Sequence, residues 1–434
     1  MAKEALSGAR RRLWRVSWLV AVLPVLAAAQ IVRPDGPGAH KLGLAQGYPG
    51  CPGHEAIERL ECRVGTWSAN HRFAPARTVE PADEPRPLPV MTQPPEIRWR
   101  WGLFSRTVDD FLDETQTTGL LILKDGQIVV ERYQYGRRPD MPLRSFSMAK
   151  TVTAMLVGIA VERGAIRSLD DRVVDYWPEV APSAYGQTSL RHLLRMASGV
   201  PFRELYTWTP DDDIATWARL LSDPSHRGQP ERVAAFLNAR TEREAEPGLR
   251  FRYATIETDI LGRVLMRATG RSLTELTQHW LWQPMGAEHP AYWLYATTDG
   301  AEEAGHGFNA TLRDYARFAL LLAEDGQRDG RSIIPRDFLL EATDPARQPP
   351  AFRPRAATPG MGYGYQVWLL PLKTRTFALQ GVYGQNILIQ PETGIVIVQT
   401  SVNDRPSGRQ DPRPYQLRDA FWRGVVLSLG GRWD

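Results

Sequence analysis

A serine and a lysine lie three positions apart in the segment Ser147-Met-Ala-Lys150, and these two residue types can form a nucleophile and its base. The apolar residues that follow recur at helical spacing up to Gly164, so the sequence predicts a helix that begins near Ser147. Residues three apart on a helix are neighbours, so the Lys150 amine can reach the Ser147 hydroxyl. The positive end of a helix and burial both lower the pKa of a lysine, and a neutral lysine can accept the serine proton.

Lysine is rare in this chain, which makes the spacing informative. Only five of the 53 basic residues are lysines, so about 0.2 serine–lysine pairs at this spacing are expected by chance. The alternative is that Ser147 caps the helix and Lys150 is solvated. The rest of the sequence decides between the two interpretations.

The composition is that of a folded globular protein. The chain has 434 residues, 43% of them hydrophobic and 24% charged, which is enough for one large domain or two ordinary ones. The net charge is +4, and the arginines are scattered rather than gathered into a stripe with interleaved aromatic residues. We therefore expect no nucleic-acid partner.

The amino-terminal residues have the features of a signal peptide or a membrane anchor. Lys3 and the arginines at positions 10–12 precede an apolar run over residues 16–32, and three alanines stand just before Gln30. The alanines suit cleavage by signal peptidase, and the run is short for a membrane span. We expect residues 1–32 to direct export, leaving the protein periplasmic or anchored in the membrane and facing the periplasm.

The two cysteines, Cys51 and Cys62, lie close together in the segment that follows. In an oxidising compartment we expect them to form a local disulfide, with a pair of free thiols as the alternative. A metal site needs more ligands than the nearby His54 supplies, and no His-Glu-x-x-His motif is present, so no metal or cofactor is expected. The absence of a Gly-x-Ser-x-Gly motif argues against an α/β-hydrolase triad.

The pattern along the chain predicts one sheet interrupted by helices. Residues 33–105 are rich in proline and glycine and are expected to form a lead segment that wraps one domain at residues 106–434. Two strand-like runs, 119–124 and 127–133, are joined by Asp125-Gly126, which is typical of a β-hairpin. Residues 165–344 are expected to be mostly helical. The helices predicted within them include 190–197, 256–268 and 312–324.

Strands return near the carboxyl end of the chain. They are predicted at residues 363–370, 376–381, 386–390 and 395–400, with a turn at 391–394 and a closing helix at 415–429. The early hairpin and the late strands must pair with each other, since the helical insertion lies between them. The expected fold class is therefore α/β, a sandwich of a mainly antiparallel sheet flanked by helices, with a large, mostly helical insertion and a site in the groove between the parts.

Several segments, taken in order, resemble the serine β-lactamase and penicillin-binding protein superfamily. The likeness is closer to its class C-like branch, which includes esterases, D-amino acid peptidases and 6-aminohexanoate-dimer hydrolases. It extends from Asp109 to the carboxyl end and implies a β-lactamase-like sandwich. The segments that carry it are Ser147-Met-Ala-Lys150, Leu193-Leu-Arg-Met-Ala-Ser-Gly199, Phe251-Arg-Tyr-Ala-Thr255, Glu257-Thr-Asp-Ile-Leu-Gly262, Phe308-Asn-Ala-Thr-Leu-Arg-Asp-Tyr-Ala-Arg-Phe318 and Gly381-Val-Tyr-Gly-Gln385.

The resemblance implies roles for individual residues. Ser147 matches the acylated nucleophile, Lys150 its helical partner and Tyr253 the tyrosine that relays a proton. A phenol near a lysine and a helix amino terminus is expected to ionise more easily. The backbone N–H groups of Ser147 and Val382 are expected to form the oxyanion hole.

The third motif of the superfamily, Lys-Thr-Gly on an edge strand, is altered here. Leu379-Gln-Gly381 takes its place, and its glycine lets a substrate approach the strand backbone. Lys373-Thr-Arg375 has no glycine and falls in a predicted turn, so we do not equate it with the motif. Tyr253-Ala-Thr255 also lacks the asparagine of the lactamase form Tyr-x-Asn. Both changes weaken recognition of a β-lactam carboxylate.

Other residues are assigned by the same resemblance. Gly381, Tyr383, Tyr206 and Trp208 are expected to bind substrate, with loop packing as the alternative for Tyr206 and Trp208. His306 and the acidic run at residues 211–213 are expected to be structural or solvated.

The sequence thus predicts an exported serine hydrolase that acts on small-molecule amides or esters. One alternative is a D-alanyl-D-alanine carboxypeptidase or β-lactamase-like enzyme of the cell wall. The other is a catalytically silent, lactamase-like binding module, against which the intact Ser147, Lys150 and Tyr253 argue.

Overall fold

The strands and helices of the computed structural model are described for residues 30–52 and 55–434. The strands in this part of the chain are β1 (Gln30–Val32), β2 (Ala76–Val79), β3 (Trp99–Trp101), β4 (Phe104–Arg106), β5 (Thr117–Lys124), β6 (Gln127–Tyr133), β7 (Leu143–Arg144), β8 (Ala291–Leu294), β9 (Phe308–Ala310), β10 (Gln327–Arg328), β11 (Arg331–Ser332), β12 (Gly362–Tyr363), β13 (Trp368–Leu369), β14 (Phe377–Gly381), β15 (Gln385–Gln390) and β16 (Ile395–Ser401). The α-helices are α1 (Glu55–Glu58), α2 (Leu60–Trp67), α3 (Val108–Glu114), α4 (Ala149–Glu162), α5 (Leu190–Leu194), α6 (Asp213–Ser222), α7 (Glu231–Asn238), α8 (Thr255–Thr269), α9 (Leu273–Thr277), α10 (Gln283–Met285), α11 (Leu312–Ala323), α12 (Arg336–Thr343) and α13 (Arg413–Ser428).

An eight-stranded sheet in the order β1-β6-β5-β16-β15-β14-β13-β12 forms the centre of the molecule. The predicted hairpin is confirmed as β5 and β6, and both turn residues, Asp125 and Gly126, have the positive φ that a two-residue turn requires. β16 pairs antiparallel with β5, placing Ile397 opposite Ile122. The early and late strands therefore join in one sheet, which is antiparallel except where β1 pairs parallel with β6. This confirms the predicted fold class.

Side chains of the central strands alternate between two apolar cores. Leu121 and Leu123 of β5 belong to the core that includes α4, α8 and α11, whereas Leu120 and Ile122 belong to the core beneath α13. The strand period of two produces this division. Burial of apolar surface on both faces holds a helical layer to each side of the sheet.

The predicted helix after Ser147 is confirmed as α4, which a short 3₁₀ turn (Phe146–Met148) precedes. Every residue of α4 from Ala149 to Ala160 is buried, because the helix is apolar on nearly all sides and runs through the interior. Gly164 follows with a φ of 71°, a conformation in which glycine commonly terminates a helix. The helix thereby places Ser147 and Lys150 at a fixed point between the sheet and the helical region.

Three predicted elements differ in the structure. Residues 363–370 form no single strand, because β12 and β13 pair antiparallel around a tight turn in which Gln366 has a φ of 58°. The helix predicted at 190–197 ends at Leu194, since Met196 also has a positive φ. Residues 165–344 contain strands as well as helices, and β8 and β9 join β2 and β7 in a second sheet ordered β2-β8-β9-β7.

The lead segment contributes β2 to the second sheet and carries the disulfide, and the strand just before it, β1, joins the central sheet. The predicted bond between Cys51 and Cys62 is present. The helix α2 was not predicted, because eight residues give too little periodicity.

Apart from β1, the signal or anchor predicted at residues 1–32 lies outside the described residues. Within the described residues, no helix is both long and apolar enough to cross a membrane.

Candidate active site

Ser147 and Lys150 lie side by side at the start of α4. The Lys150 Nζ atom is 3.1 Å from Ser147 Oγ, and the two side chains come from residues that are 1% and 9% exposed, respectively. Because one helical turn brings position i+3 over position i, local geometry alone produces this contact. The spacing noted in the sequence is therefore a true side-chain pair.

Two further oxygens surround the Lys150 amine. Nζ lies 2.9 Å from Thr255 Oγ1 and 2.8 Å from the carbonyl oxygen of Gly305. Burial lowers the pKa of Lys150 to about 8, against the opposing effect of the nearby Glu204 and Asp259 carboxylates. With that pKa, about a tenth of Lys150 is uncharged at pH 7 and able to accept a proton.

Tyr253 completes the trio that the sequence predicted. Its side chain interacts with Ser147, its ring centroid lies 5.0 Å from Lys150 Nζ, and Trp368 stacks on it at 5.7 Å. Burial, and then the charge of Glu204, raise the pKa of Tyr253 well above its usual value. The expectation of an easily ionised phenol was wrong, because loss of solvent outweighs the effects of the amine and the helix. Tyr253 therefore remains a phenol that can donate a proton.

The carboxyl end of β14 passes directly beside the nucleophile. A Cβ atom on Gly381 would stand 2.5 Å from the Ser145 carbonyl oxygen and 3.1 Å from the Ser147 nitrogen, so only glycine allows this approach. β13 pairs with residues 377–378 of β14 and no further, which leaves 379–381 with an open edge on that side. Val382 follows and lines the same groove as Ser147.

Leu379, buried in the apolar core, stands where the superfamily carries a lysine, and Gln380 follows in the place of the threonine. The Gln380 side chain lines the groove, and its Oε1 accepts a hydrogen bond of 3.3 Å from Arg418, whose side chain is otherwise buried behind the strand. Lys373 is exposed in the turn before β14 and does not line the groove. An apolar side chain thus takes the position of the superfamily's lysine, and the neighbouring Gln380 presents an uncharged amide to the groove.

An open groove of about 1410 Å³ leads to Ser147. Of the residues predicted to bind substrate, Gly381 and Tyr206 line it. Trp208 is half-buried and does not line it. Tyr383 is also misassigned: its ring is buried against Trp67, at a centroid distance of 4.9 Å, on the side away from the groove. The backbone of Tyr383, with a φ of 62°, turns the side chain into that apolar cluster.

The groove wall that carries Tyr206 is a loop, residues 201–212, held from within by an aspartate. The buried Asp212 carboxylate accepts hydrogen bonds from the backbone N–H groups of Leu205, Thr207 and Trp208 at 2.8–3.1 Å. Tyr206 and Trp208 both have positive φ, which is strained for bulky residues. Asp212 therefore has the structural role expected for the acidic run, since its bonds fix this loop.

Four residues of the site were not predicted. Glu204 binds both the backbone N–H and the hydroxyl of Thr255, each at 2.7 Å. Asp259 accepts the Gly305 N–H at 2.8 Å, and so holds the carbonyl that contacts Lys150. Thr255 and Asp259 belong to segments that carried the resemblance, which was a usable signal. Glu204 and Gly305 lie in loops with no local pattern.

The histidine that follows Gly305 in the chain is paired with an acid. His306 Nδ1 lies 3.2 Å from Glu303 Oε2, which agrees with a structural role. In residues 30–52 and 55–434, no group of three or more His, Cys, Asp or Glu side chains is arranged to hold a metal ion.

Comparison with known proteins agrees with this geometry. A family model described as Beta-lactamase matches residues 104–420. The 6-aminohexanoate-dimer hydrolase of Paenarthrobacter ureafaciens is 27% identical over 304 residues, which are 69% of this chain and 76% of that protein. The resemblance drawn from the sequence motifs is therefore confirmed.

Solved structures share the fold. A Bacillus anthracis protein provisionally assigned as a 6-aminohexanoate-dimer hydrolase superimposes with a TM-score of 0.73 at 24% identity, covering 84% of this chain and 94% of that one. A D-stereospecific amidohydrolase from a Streptomyces species gives a TM-score of 0.52 at 17% identity, covering 71% and 95%. Taken together, the family match, the fold and the assembled serine, lysine and tyrosine show that this chain belongs to the beta-lactamase family and is a serine hydrolase.

Proposed function

We propose that the protein cleaves small linear amides, and esters of similar size, through an acyl-enzyme on Ser147. The observation that carries this proposal is the 3.1 Å contact between Ser147 Oγ and a buried amine whose pKa is about 8. Such an amine is neutral often enough to act as a base and is already placed against the hydroxyl.

The chemistry divides into two acyl transfers. Lys150 takes the proton of Ser147 as Oγ attacks the substrate carbonyl, and the negative oxygen of the tetrahedral intermediate is stabilised by the backbone N–H groups of Ser147 and Val382. Tyr253 gives its proton to the leaving amine or alkoxide and is reprotonated from Lys150. Water then attacks the acyl-enzyme through the same groups in reverse, releasing the acid and restoring Ser147.

The preference for amides is supported by the curated relative and by the altered third motif. The Paenarthrobacter ureafaciens protein is named for the hydrolysis of a 6-aminohexanoate dimer, which is a short linear amide. Leu379 replaces the lysine that binds the carboxylate of a β-lactam or a D-alanyl peptide in related enzymes, and the neighbouring Gln380 presents an uncharged amide to the groove. The groove is larger than the roughly 300–1,000 Å³ of usual small-ligand pockets and is open, which suits an extended chain.

The test is labelling followed by a substrate panel. A fluorophosphonate should label the wild-type protein and leave Ser147→Ala unlabelled, and short ω-amino amides and p-nitrophenyl esters should be hydrolysed. Labelling by a fluorescent penicillin, together with hydrolysis of nitrocefin, would instead support the cell-wall enzyme. If neither reagent reacts with the wild type, the silent binding module is correct and this proposal is wrong.

We also propose that the protein acts outside the cytoplasm. The disulfide between Cys51 and Cys62 suits an oxidising compartment, and removal of residues 1–29 would leave β1 intact, since that strand begins at Gln30. Mass spectrometry of the amino terminus should find Gln30 if the signal is cleaved, and an unprocessed chain in the membrane fraction if it is kept as an anchor. Reduced cysteines in a full-length cytosolic protein would contradict export.

A further inference from the structure

We propose that Glu204 is a positioning residue for the acylation of Ser147: through Thr255 it fixes the direction of the hydrogen bonds around Lys150, so that the amine directs its lone pair at the Ser147 hydroxyl. The inference builds on the proposed function, since it concerns the same base. It assigns a role to a residue on the groove loop that no motif identifies.

An uncharged amine can both donate and accept hydrogen bonds. A neutral lysine has two N–H groups and one lone pair, and three oxygens lie within hydrogen-bond distance of Lys150 Nζ in the described residues. They belong to Ser147, Thr255 and Gly305. Lys150 can act as a base only if the lone pair, rather than an N–H, points at Ser147.

The Gly305 and Thr255 oxygens fix the direction of two of the three hydrogen bonds around Lys150. The Gly305 oxygen is a carbonyl, so it can only accept and takes one N–H. The Thr255 hydroxyl can donate or accept, but its single proton goes to Glu204 Oε1 at 2.7 Å. Its oxygen must therefore accept from Lys150, at 2.9 Å, which takes the second N–H. The lone pair is left for Ser147.

Hydrogen bonds from neighbouring groups fix the Glu204 carboxylate in its position beside Thr255. Its other oxygen, Oε2, accepts the Thr255 backbone N–H at 2.7 Å, and Tyr206 donates its hydroxyl to Oε1. Thr255 is the first residue of α8, where the helix dipole favours a negative charge. A carboxylate only accepts hydrogen bonds, so it cannot reverse the direction of the Thr255 hydroxyl.

The test uses two substitutions and their combination. Glu204→Gln offers one acceptor oxygen to two Thr255 donors, so the hydroxyl loses its fixed direction; Thr255→Val removes the hydroxyl altogether. Each should slow the reaction of Ser147 with a fluorophosphonate by about tenfold or more, since general-base catalysis contributes about 10²–10⁴-fold. Thr255→Ser, which keeps the hydroxyl, should restore most of the rate lost in Thr255→Val. The exposed Glu242→Gln serves as the matched control.

The double variant decides between this role and a merely structural one. If Glu204 acts through Thr255, Glu204→Gln should have little further effect in the Thr255→Val background, because the hydroxyl that links Glu204 to Lys150 is already absent. If Glu204 only docks the groove loop, the two losses multiply, and the proposal is overturned. It is likewise overturned if both single variants react as fast as the wild type.

A pH profile gives a second readout. The carboxylates whose charges raise the pKa of Lys150 are Glu204, on the loop, and Asp259, on α8, and the Tyr253 ring faces the amine from the segment before α8. Removing the charge of Glu204 should move the acid limb of the labelling rate to lower pH, which loss of a helix cap alone would not do. An unreactive wild type would refute the proposed function itself, whereas a reactive wild type with additive variants refutes only the role of Glu204.

Discussion

The Trp67 ring packs edge-on against Phe146, the residue that precedes the nucleophile, with 4.9 Å between ring centroids. Phe146 has a φ of 46°, a left-handed conformation that typically costs a bulky residue about 1–3 kcal/mol. The Phe146 ring is also enclosed by the Tyr383 ring, with 5.4 Å between centroids, and by the Arg144 guanidinium, 4.3 Å from the Phe146 centroid. Trp67 lies outside the residues that the family model matches, so the lead segment helps to hold the catalytic turn in place.

Removing this support should damage catalysis as well as stability. For Trp67→Ala we expect a loss of about 3–5 kcal/mol in the free energy of unfolding, as for other buried tryptophans, and slower acylation because Phe146 can relax. Trp422→Ala is the matched control, since Trp422 is equally buried but belongs to the core under α13. Urea unfolding and fluorophosphonate labelling of the folded fraction measure the two effects. Equal labelling rates in both variants would contradict the role of Trp67.

The acylation rate should rise with pH as Lys150 loses its proton. With a pKa of about 8, the amine is protonated and inactive as a base below that pH, so kcat/KM should fall about tenfold per unit well below it and level off above it. Steady-state hydrolysis of a p-nitrophenyl ester between pH 6 and 9.5 tests this. A rate that is flat across pH 8 would mean that another group is the base.

Stability should fall with rising pH because of Glu257. Burial raises the pKa of this carboxyl to about 8, against the hydrogen bond of 2.6 Å that it accepts from Ser198. Between the unfolded pKa near 4.5 and about 8, the folded state keeps a proton that the unfolded state loses. Each pH unit in that window therefore destabilises the fold by about 1.4 kcal/mol from this group.

The corresponding variant is Glu257→Gln, which is neutral and still offers an oxygen to Ser198. It should be more stable than the wild type at pH 8, with the difference shrinking toward pH 5. Glu242→Gln, on the surface, should show no such trend. Urea midpoints at several pH values measure the difference, and parallel curves for wild type and Glu257→Gln would contradict the raised pKa.

Gly381 should tolerate no side chain. In Gly381→Ala the new Cβ would meet the Ser145 carbonyl oxygen at 2.5 Å, so β14 must move away from Ser147. If the Val382 amide moves with the strand, kcat should fall by about 10²–10³-fold, the usual effect of losing one oxyanion donor. Gly360→Ala is the control, because Gly360 lines the same groove with open space around its Cβ. Equal kcat values in the two variants would remove Val382 from the mechanism.

Local sequence patterns predicted the elements whose geometry is local. The hairpin followed from strand-like runs around Asp125-Gly126, and the contact between Ser147 and Lys150 followed from helical spacing. The turn at Gln366 escaped prediction because it lies within an apolar run. There, the buried Gln366 amide bonds the Leu193 carbonyl oxygen and the Thr258 hydroxyl, and these contacts hold a backbone conformation that no local signal announces.

The same contrast between local patterns and contacts made only on folding explains which site residues could be predicted. Tyr253 was found because it stands in a recognisable segment, whereas Glu204 reaches Thr255 only after a loop folds over the start of α8. Tyr383 was misassigned because its backbone conformation, which no motif encodes, decides which way its ring points. Burial likewise reversed the expected acidity of Tyr253, since the number of waters displaced around a phenol depends on tertiary packing.

The reactive parts of this enzyme come from distant stretches of one chain: the nucleophile from the turn before α4, the phenol from the segment before α8 and the glycine of the open strand edge from β14. A nascent polypeptide still lacking its last strands has the serine and the lysine but neither the strand beside them nor the dry surroundings that lower the pKa of the amine. We therefore expect such a chain to be chemically dormant. Acylation requires β14 to be docked beside Ser147, so its onset during refolding is expected to report that docking.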